Sequence, residues 1–424
     1  MNYKSLILNR LLDRYEKSRH FTEGQSQRRI MLKMVQNDFP EYDIENPLIK
    51  ETFNSAISEL TQKNLTGFDW LRYEEGNIID KVWLNVSNIE EAYRHLGRKP
   101  RRLVLDMLLD QVIAGKKKIA EGWILRYLED VEHSVKERSS TAGLLPNDRE
   151  QASALLRALQ AIDALQGEQR LERVFSLSCF GDSKYFERNI RAKTIGIIKR
   201  YYLGREAAGE MSDDEVLAQV GILKSPEQID FKGAIVCTIG SKRIDFSIFI
   251  HGISINGTTV RDLKVEGMGD VRKILFIENK ANYLQFVAEN TDDSIMVVFH
   301  GGFYSPVKGV FFQKLYDAAS PAGVEFFHWG DIDLGGFLIF NKLKTNIIPS
   351  LRAYRMDKSS LISRVRYATK FDSRYGEKLK ILLRDPEYSE FYEVIEFMLE
   401  KAVKLEQEAF LQRAVTRDDV AKLY

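Results

Sequence analysis

From residue 273 onward the chain alternates short β-branched or aromatic runs with longer amphipathic stretches, and this rhythm narrows the possible folds more than any other feature. Strands are predicted at 273–277, 295–299 and 324–328, with helices over 281–289 and 307–319 and a further helix after Gly336. Strands separated by helices of this length pack as a parallel sheet covered by those helices. The expected fold class is therefore α/β plus α, with the parallel sheet in the C-terminal part. In such sheets functional groups collect just beyond the carboxyl ends of the strands.

The preceding residues read differently. Leu8, Leu11, Leu12 and Tyr15 recur at helical spacing. Asn46-Pro47 is a cap followed by a good first-turn residue, and Ile49, Phe53, Ile57 and Leu60 share one face of the helix it starts. A hairpin is predicted from 68–73, the turn Glu74-Glu75-Gly76-Asn77, and 78–86. Helices followed by a hairpin suggest a winged-helix-like module at 1–100. Acids and bases balance there, so a protein-contacting role is as compatible as a DNA-contacting one. Residues 101–172 are leucine-rich and helical, an antiparallel arm or a compact bundle. Residues 173–262 hold a strand at Phe175-Ser176-Leu177-Ser178, a basic helix over 184–202, and three β-rich runs at 234–238, 244–250 and 253–255. Residues 263–424 hold the parallel sheet and C-terminal helices.

Composition excludes some classes. No apolar run approaches the roughly 20 residues of a bilayer-spanning helix, so no membrane association is expected. The two cysteines, Cys179 and Cys237, support neither a disulfide framework nor a thiolate metal cluster. With no signal-peptide layout after Met1, a cytoplasmic location is expected. No Walker-type glycine-rich loop occurs, so any use of ATP belongs to a partner. Net charge is +1, but Lys184, Arg188, Arg191, Lys193, Lys199 and Arg200 cluster with a single acid, Glu187, between them. Such a cluster either attracts DNA phosphates or forms a solvated helix face.

Three strand ends carry unusual residues: Ile277-Glu278-Asn279-Lys280, Phe299-His300-Gly301-Gly302, and Trp329-Gly330-Asp331-Ile332-Asp333-Leu334-Gly335-Gly336. In an extended segment Asp331 and Asp333 point the same way, and Glu278 from a neighbouring strand end completes an oxygen-rich pocket. Three carboxylates this close repel unless protonated or neutralised, and a hard divalent cation is the usual solution. The alternative is that they are helix caps and surface charges. Asp-x-Asp also marks haloacid-type phosphatases and nucleotide-sugar transferases, but in the former it ends the first strand of the domain, which does not fit here. The glycines at 301, 302, 335 and 336 are expected to admit a nucleic-acid backbone.

The Glu at one strand end and Asp-x-Asp at a later one resemble the Toprim domain of topoisomerases, primases and related nucleases. With Ala281-Asn282-Tyr283-Leu284, Tyr354-Arg355-Met356-Asp357 and, upstream, Phe180-Gly181-Asp182-Ser183-Lys184, the match over roughly residues 175–360 is closer still to the JetD family, the nuclease component of bacterial Wadjet plasmid-defence systems. That family is similar to the A subunit of topoisomerase VI. The resemblance implies a homodimer with a winged-helix DNA-binding domain. It also implies a Mg²⁺- or Mn²⁺-dependent endonuclease held by Glu278, Asp331 and Asp333, with Glu278 as a further candidate for general acid or base. Its substrate would be double-stranded, closed-circular DNA, recognised by a partner SMC–kleisin-type ATPase complex (JetABC-like). The topoisomerase relatives attack with a tyrosine. No such nucleophile is assigned here, since Tyr201 and Tyr202 fit packing better, so a metal-activated water is expected. Two other readings stay open: a non-catalytic DNA-binding or scaffolding subunit, and a strand-passage enzyme like topoisomerase VI.

Overall fold

The computed structural model describes residues 2–24, 28–34 and 38–412, so residues 413–424 of the expected catalytic part lie outside the described residues. The chain forms two compact units, residues 1–160 and 161–424.

In the first unit, α1 (Tyr3–Tyr15) and α2 (Pro47–Gln62) pack on a three-stranded antiparallel sheet of β1 (Met31–Lys33), β2 (Thr66–Trp70) and β3 (Ile79–Leu84), in the order β1-β3-β2. The Asn46 side chain accepts the Ile49 N–H at 3.3 Å and caps α2, as its sequence predicts. Ile7, Leu8, Leu11 and Leu12 meet Phe53, Ile57, Leu60 and Val82 in one core. Helices α3 (Arg101–Lys116), α4 (Gly122–Arg138) and α5 (Arg149–Asp163) follow, and α5 runs across the division between the units.

In the second unit the first element corrects a sequence expectation. Phe175-Ser176-Leu177-Ser178 is not a strand but part of helix α6 (Glu172–Phe180). Its alternating pattern mimics a strand, yet Gly181 in the left-handed conformation ends a helix there, its N–H bonded to the Leu177 carbonyl at 2.9 Å. The Ser176 hydroxyl donates to the Asp182 carbonyl and accepts the Phe186 N–H, joining α6 to the basic segment. That segment is helical, with α7 (Arg191–Ile198) flanked by wide π turns at Phe186–Ile190 and Lys199–Leu203. A short helix, α8 (Asp213–Ala218), packs against α7.

Two sheets follow. The smaller has the order β8-β5-β6, from β5 (Val236–Ile239), β6 (Lys242–Asp245) and β8 (Leu263–Gly267). The second β-rich run does not stay extended to 250, because Phe246–Ile248 forms a 3₁₀ turn capped by Asp245, whose carboxylate accepts the Ser247 N–H at 2.9 Å. The larger sheet has six strands. Its parallel centre is β9 (Lys273–Ile277), β10 (Ile295–Phe299), β11 (Glu325–Trp329) and the short β12 (Arg352–Ala353). Strand β4 (Gln228–Lys232) pairs antiparallel with β10, and β7 (Ile253–Asn256) pairs antiparallel with β4, giving the order β12-β11-β9-β10-β4-β7. The sheet is thus mixed, where the rhythm of residues after 273 predicted a parallel one. The extra strands come from before residue 262, so strands on both sides of that position share each sheet.

Helices α9 (Lys280–Glu289) and α10 (Pro306–Ala319) make the crossovers between the parallel strands, and α11 (Leu334–Asn346) follows β11. The centre is buried as a two-sided sheet requires: Ile274, Phe276, Ile277, Met296, Val297 and Val298 have no exposed surface. Each such side chain contributes roughly 1.5–3 kcal/mol by leaving water. Helices α12 (Ser373–Leu382) and α13 (Tyr392–Lys401) lead to β13 (Val403–Lys404) and a final 3₁₀ turn, Gln407–Leu411. Among the described residues no helix is long and apolar enough to cross a membrane.

Candidate metal centre

Strand register decides where the acids emerge. Ile277 stands opposite both Phe299 and Trp329, so Glu278, His300 and Gly330 leave the sheet side by side. The Glu278 N–H reaches the Trp329 carbonyl at 3.0 Å, extending the β9–β11 ladder by one residue. After β9 the chain crosses toward β10, and after β11 it crosses toward β12 on the opposite side. A crevice therefore opens at the carboxyl ends of β9 and β11, the switch point at which open α/β sheets hold ligands.

Glu278 and Asp331 meet in this crevice: Glu278 Oε2 accepts the Asp331 N–H at 3.3 Å. Asp331 Oδ1 accepts the Gln407 N–H at 2.6 Å. Asp333 is the cap of α11, its Oδ1 accepting the Gly336 N–H at 2.8 Å, while its Oδ2 lies 3.5 Å from Lys404 Nζ. For Asp333 the capping role weighed against function is real, and its second oxygen is left to the Lys404 ammonium. The glycine expectation changes its reason at two positions. A Cβ at Gly336 would overlap the Asp331 carbonyl oxygen, and one at Gly302 would overlap Glu215 Oε1, so both glycines serve contacts inside the protein.

The electrostatics are those of crowded like charges. Burial, then Asp331 and Asp333, hold the Glu278 carboxyl well above the usual range. Burial and Asp333 push Asp331 up to about 8. Asp333 is raised too, mainly by burial, despite its bond to Gly336. Burial works against the charge on Lys404, but Glu406 and Asp333 outweigh it and raise its pKa. Behind the rim, His300 and His328 are buried with ring centroids 4.8 Å apart. Burial takes His328 down to about 3 and His300 well below the imidazole range, so both stay neutral and add no cation.

Residues 404–408, which nothing local in the sequence marks, run along the same rim. Leu405 and Ile332 exchange both backbone bonds, at 2.9 and 3.1 Å. Asp331, Glu406 and Glu408 can each offer one oxygen with all three within 4.8 Å of one another. Glu408 also accepts the Asn279 side-chain amide at 2.6 Å. An all-oxygen donor set with a surplus of negative charge suits a hard divalent cation such as Mg²⁺ or Mn²⁺. Tyr375 is a second residue the sequence reading missed. Its hydroxyl accepts the Leu334 N–H at 2.8 Å, and burial, followed by Asp333, raises its pKa, which opposes a phenolate nucleophile.

The six basic residues do not form one free surface. Arg191 is drawn to Glu172 (3.4 Å), Asp213 (3.6 Å) and Asp214 (2.5 Å), and Lys199 to Asp213 (3.1 Å). Lys193 is half-buried, and burial lowers its pKa. Lys184, Arg188 and Arg200 are exposed, Arg188 with only a 4.0 Å approach to Asp182.

Residues 235–419 match the family described as Wadjet protein JetD, C-terminal. A protein of Bacillus cereus (strain Q1), Wadjet protein JetD, is 30% identical over 429 residues, covering 98% of this chain and 100% of the relative.

Proposed function

Because the chain belongs to the Wadjet JetD family, we propose that it serves Wadjet defence as a metal-dependent DNA endonuclease that cuts closed-circular plasmid DNA. One observation carries this reading: Glu278 accepts the Asp331 N–H at the carboxyl ends of β9 and β11, Asp333 acts electrostatically on both, and among the described residues Lys404 is the cation paired with this group. The same arrangement supports a Toprim-type domain built around β9, β10 and β11, to which strands from before residue 262 also belong. The helices and three-stranded sheet within residues 1–100 support a winged-helix-like module there.

Glu278, Asp331 and Asp333 would hold Mg²⁺ or Mn²⁺, with Glu406 and Glu408 close enough to Asp331 to take part. Bound there, the ion would polarise the scissile phosphate and stabilise the leaving oxygen. The chain's own contribution is placement. The Gly336 and Gln407 N–H groups fix one oxygen each of Asp333 and Asp331; the second oxygens, that of Asp333 now 3.5 Å from Lys404 Nζ, would hold the ion. Glu278 would also serve as general acid or base, its carboxyl held above the usual range by burial and by Asp331 and Asp333. The raised pKa of Tyr375 favours attack by water over attack by a tyrosine at this rim. Lys184, Arg188 and Arg200 would contact DNA phosphates. A homodimer working beside an SMC–kleisin-type ATPase complex completes the proposal.

The test is linearisation of closed-circular plasmid by the assembled system in Mg²⁺ or Mn²⁺, comparing Glu278→Ala with the parent. Loss of cutting supports the proposal. Undiminished cutting by the variant overturns it and returns the chain to a scaffolding role, while a trapped covalent protein–DNA adduct would move it to the strand-passage class.

A further inference from the structure

Gln407 has no exposed surface, yet it is a polar residue at the rim of the sheet. Burying an amide is tolerated only when its groups are paired. All four of its hydrogen-bonding groups are paired, each with an element that carries the candidate centre. The side-chain oxygen accepts the Asn279 N–H at 2.8 Å, directly after Glu278. The side-chain nitrogen donates to the carbonyl of Trp329, the last residue of β11, at 3.1 Å. Its backbone N–H donates to Asp331 Oδ1 at 2.6 Å, and its carbonyl accepts the Asn282 amide at 2.9 Å.

Beyond the Glu278 N–H to Trp329 carbonyl bond the two strands part company, and the next backbone groups need other partners. An amide carries one donor and one acceptor at a fixed spacing. Gln407 inserts that pair of groups where the strands diverge and replaces the ladder bond that would have come next. Its side chain thereby ties the backbone just after Glu278 to the backbone just before Asp331, beside the direct Glu278 N–H to Trp329 carbonyl bond. We infer that Gln407 is a positioning residue for the metal centre: it spaces Glu278 from Asp331 and turns one Asp331 oxygen away, so that the acids are arranged before the ion arrives. This inference rests on the reading of the rim as a metal centre. Leu405 and Lys404 brace the same segment through Ile332 and Asp333, which keeps Gln407 in register.

The experiment is Mn²⁺ binding to the full-length chain, followed by calorimetry and by the electron-paramagnetic signal of free Mn²⁺, for the parent, Gln407→Met, Gln407→Asn and Glu278→Ala. Methionine keeps the volume and removes both side-chain bonds; asparagine keeps the amide one methylene short. Melting without metal is recorded alongside. Outer partners of metal ligands typically change affinity by about 10–100-fold, and a weakening of that size is expected for both Gln407 variants, measured on folded protein. Parent-like Mn²⁺ affinity in folded Gln407 variants, with affinity lost in Glu278→Ala, overturns the positioning role and leaves the centre intact. Parent-like affinity in Glu278→Ala overturns the metal centre itself. Failure of both Gln407 variants to fold assigns the residue to the architecture and also overturns the inference.

Discussion

The acidic rim at β9 and β11 and the basic segment around α7 each concentrate charge of one sign, and they dispose of it in opposite ways. In the basic segment the fold brings its own counter-charges: Glu172 from α6 and Asp213 and Asp214 from α8 converge on Arg191, and Asp213 also takes Lys199. At the rim the fold brings more of the same sign. Glu406 and Glu408 join Asp331, and the neighbouring histidines are neutral. Packing that gathers like charges, and raises their pKa values in doing so, is costly unless something outside the chain completes it. Local charge density alone would have ranked the two regions together. Partnership separates them, and for that reason the proposed ion site is assigned to the rim and not to the basic segment.

The comparison is easiest to break by removing the acids. Asp331→Asn combined with Asp333→Asn is expected to reduce plasmid linearisation by about 100-fold or more, as loss of stabilising groups at a reacting phosphate does. Arg191→Ala in the same assay should leave most cutting in place. Equal losses would mean that the two regions do not differ in role.

Glycine substitutions come next. A Cβ at Gly330 would overlap Glu278 Oε2 and come within 2.8 Å of His328 Cε1, so Gly330→Ala should cost about 1–3 kcal/mol in urea unfolding, as overpacking does. Gly196 in α7 has nothing within 4 Å of an added Cβ, and Gly196→Ala should instead stabilise by roughly 0.5–1 kcal/mol through helix propensity. Similar effects at both positions would show that the rim is not tightly built.

The pH dependence of metal-free stability follows from the raised carboxyl pKa values. Asp331, pushed up to about 8, holds a proton in the folded state that the unfolded chain releases near pH 4. Its contribution is therefore present below about pH 4 and is lost as the pH rises through about 8. Metal-free protein should melt lower at pH 8.5 than at pH 6 by about 2–4 °C or more. Mn²⁺ should close that gap, and Asp331→Asn should flatten it. A melting temperature that rises across this interval would contradict the uncompensated rim.

The smallest effect is expected on DNA affinity. Arg200→Glu should weaken binding and reduce the magnitude of its logarithmic salt slope by about one. Arg191→Ala, whose charge is engaged inside the fold, should lower stability more than it changes that slope. A reversed ranking would return Arg191 to the DNA-contacting set.

Much of the site's address was legible in the sequence. The strands at 273–277 and 295–299 are found at those residues, because a five-residue β-branched and aromatic run flanked by polar turns has few other ways to be buried. Glu278 follows from where the first of those runs ends, and Asp331 from the end of the third run, predicted at 324–328 and found at Glu325–Trp329. The segment at 175–178 was misread because alternation over four residues fits a strand as well as one face of a helix, and the deciding cap, Gly181, acts from outside the pattern. The antiparallel strands β4 and β7 were not assigned to the main sheet, since pairing partners leave no mark within a single strand.

What the sequence determined by itself was thus the period: which residues alternate, where each apolar run stops, and which acids stand at the stops. These are properties of neighbours along the chain, governed by backbone geometry and the removal of apolar side chains from water. Only the tertiary structure decided that residues 404–408 return to the rim, that Gln407 bridges its two strand ends, and that Arg191 is already matched by acids. Contacts of that kind depend on how separate elements pack, and short-range pattern does not carry the distance between residues far apart in the chain.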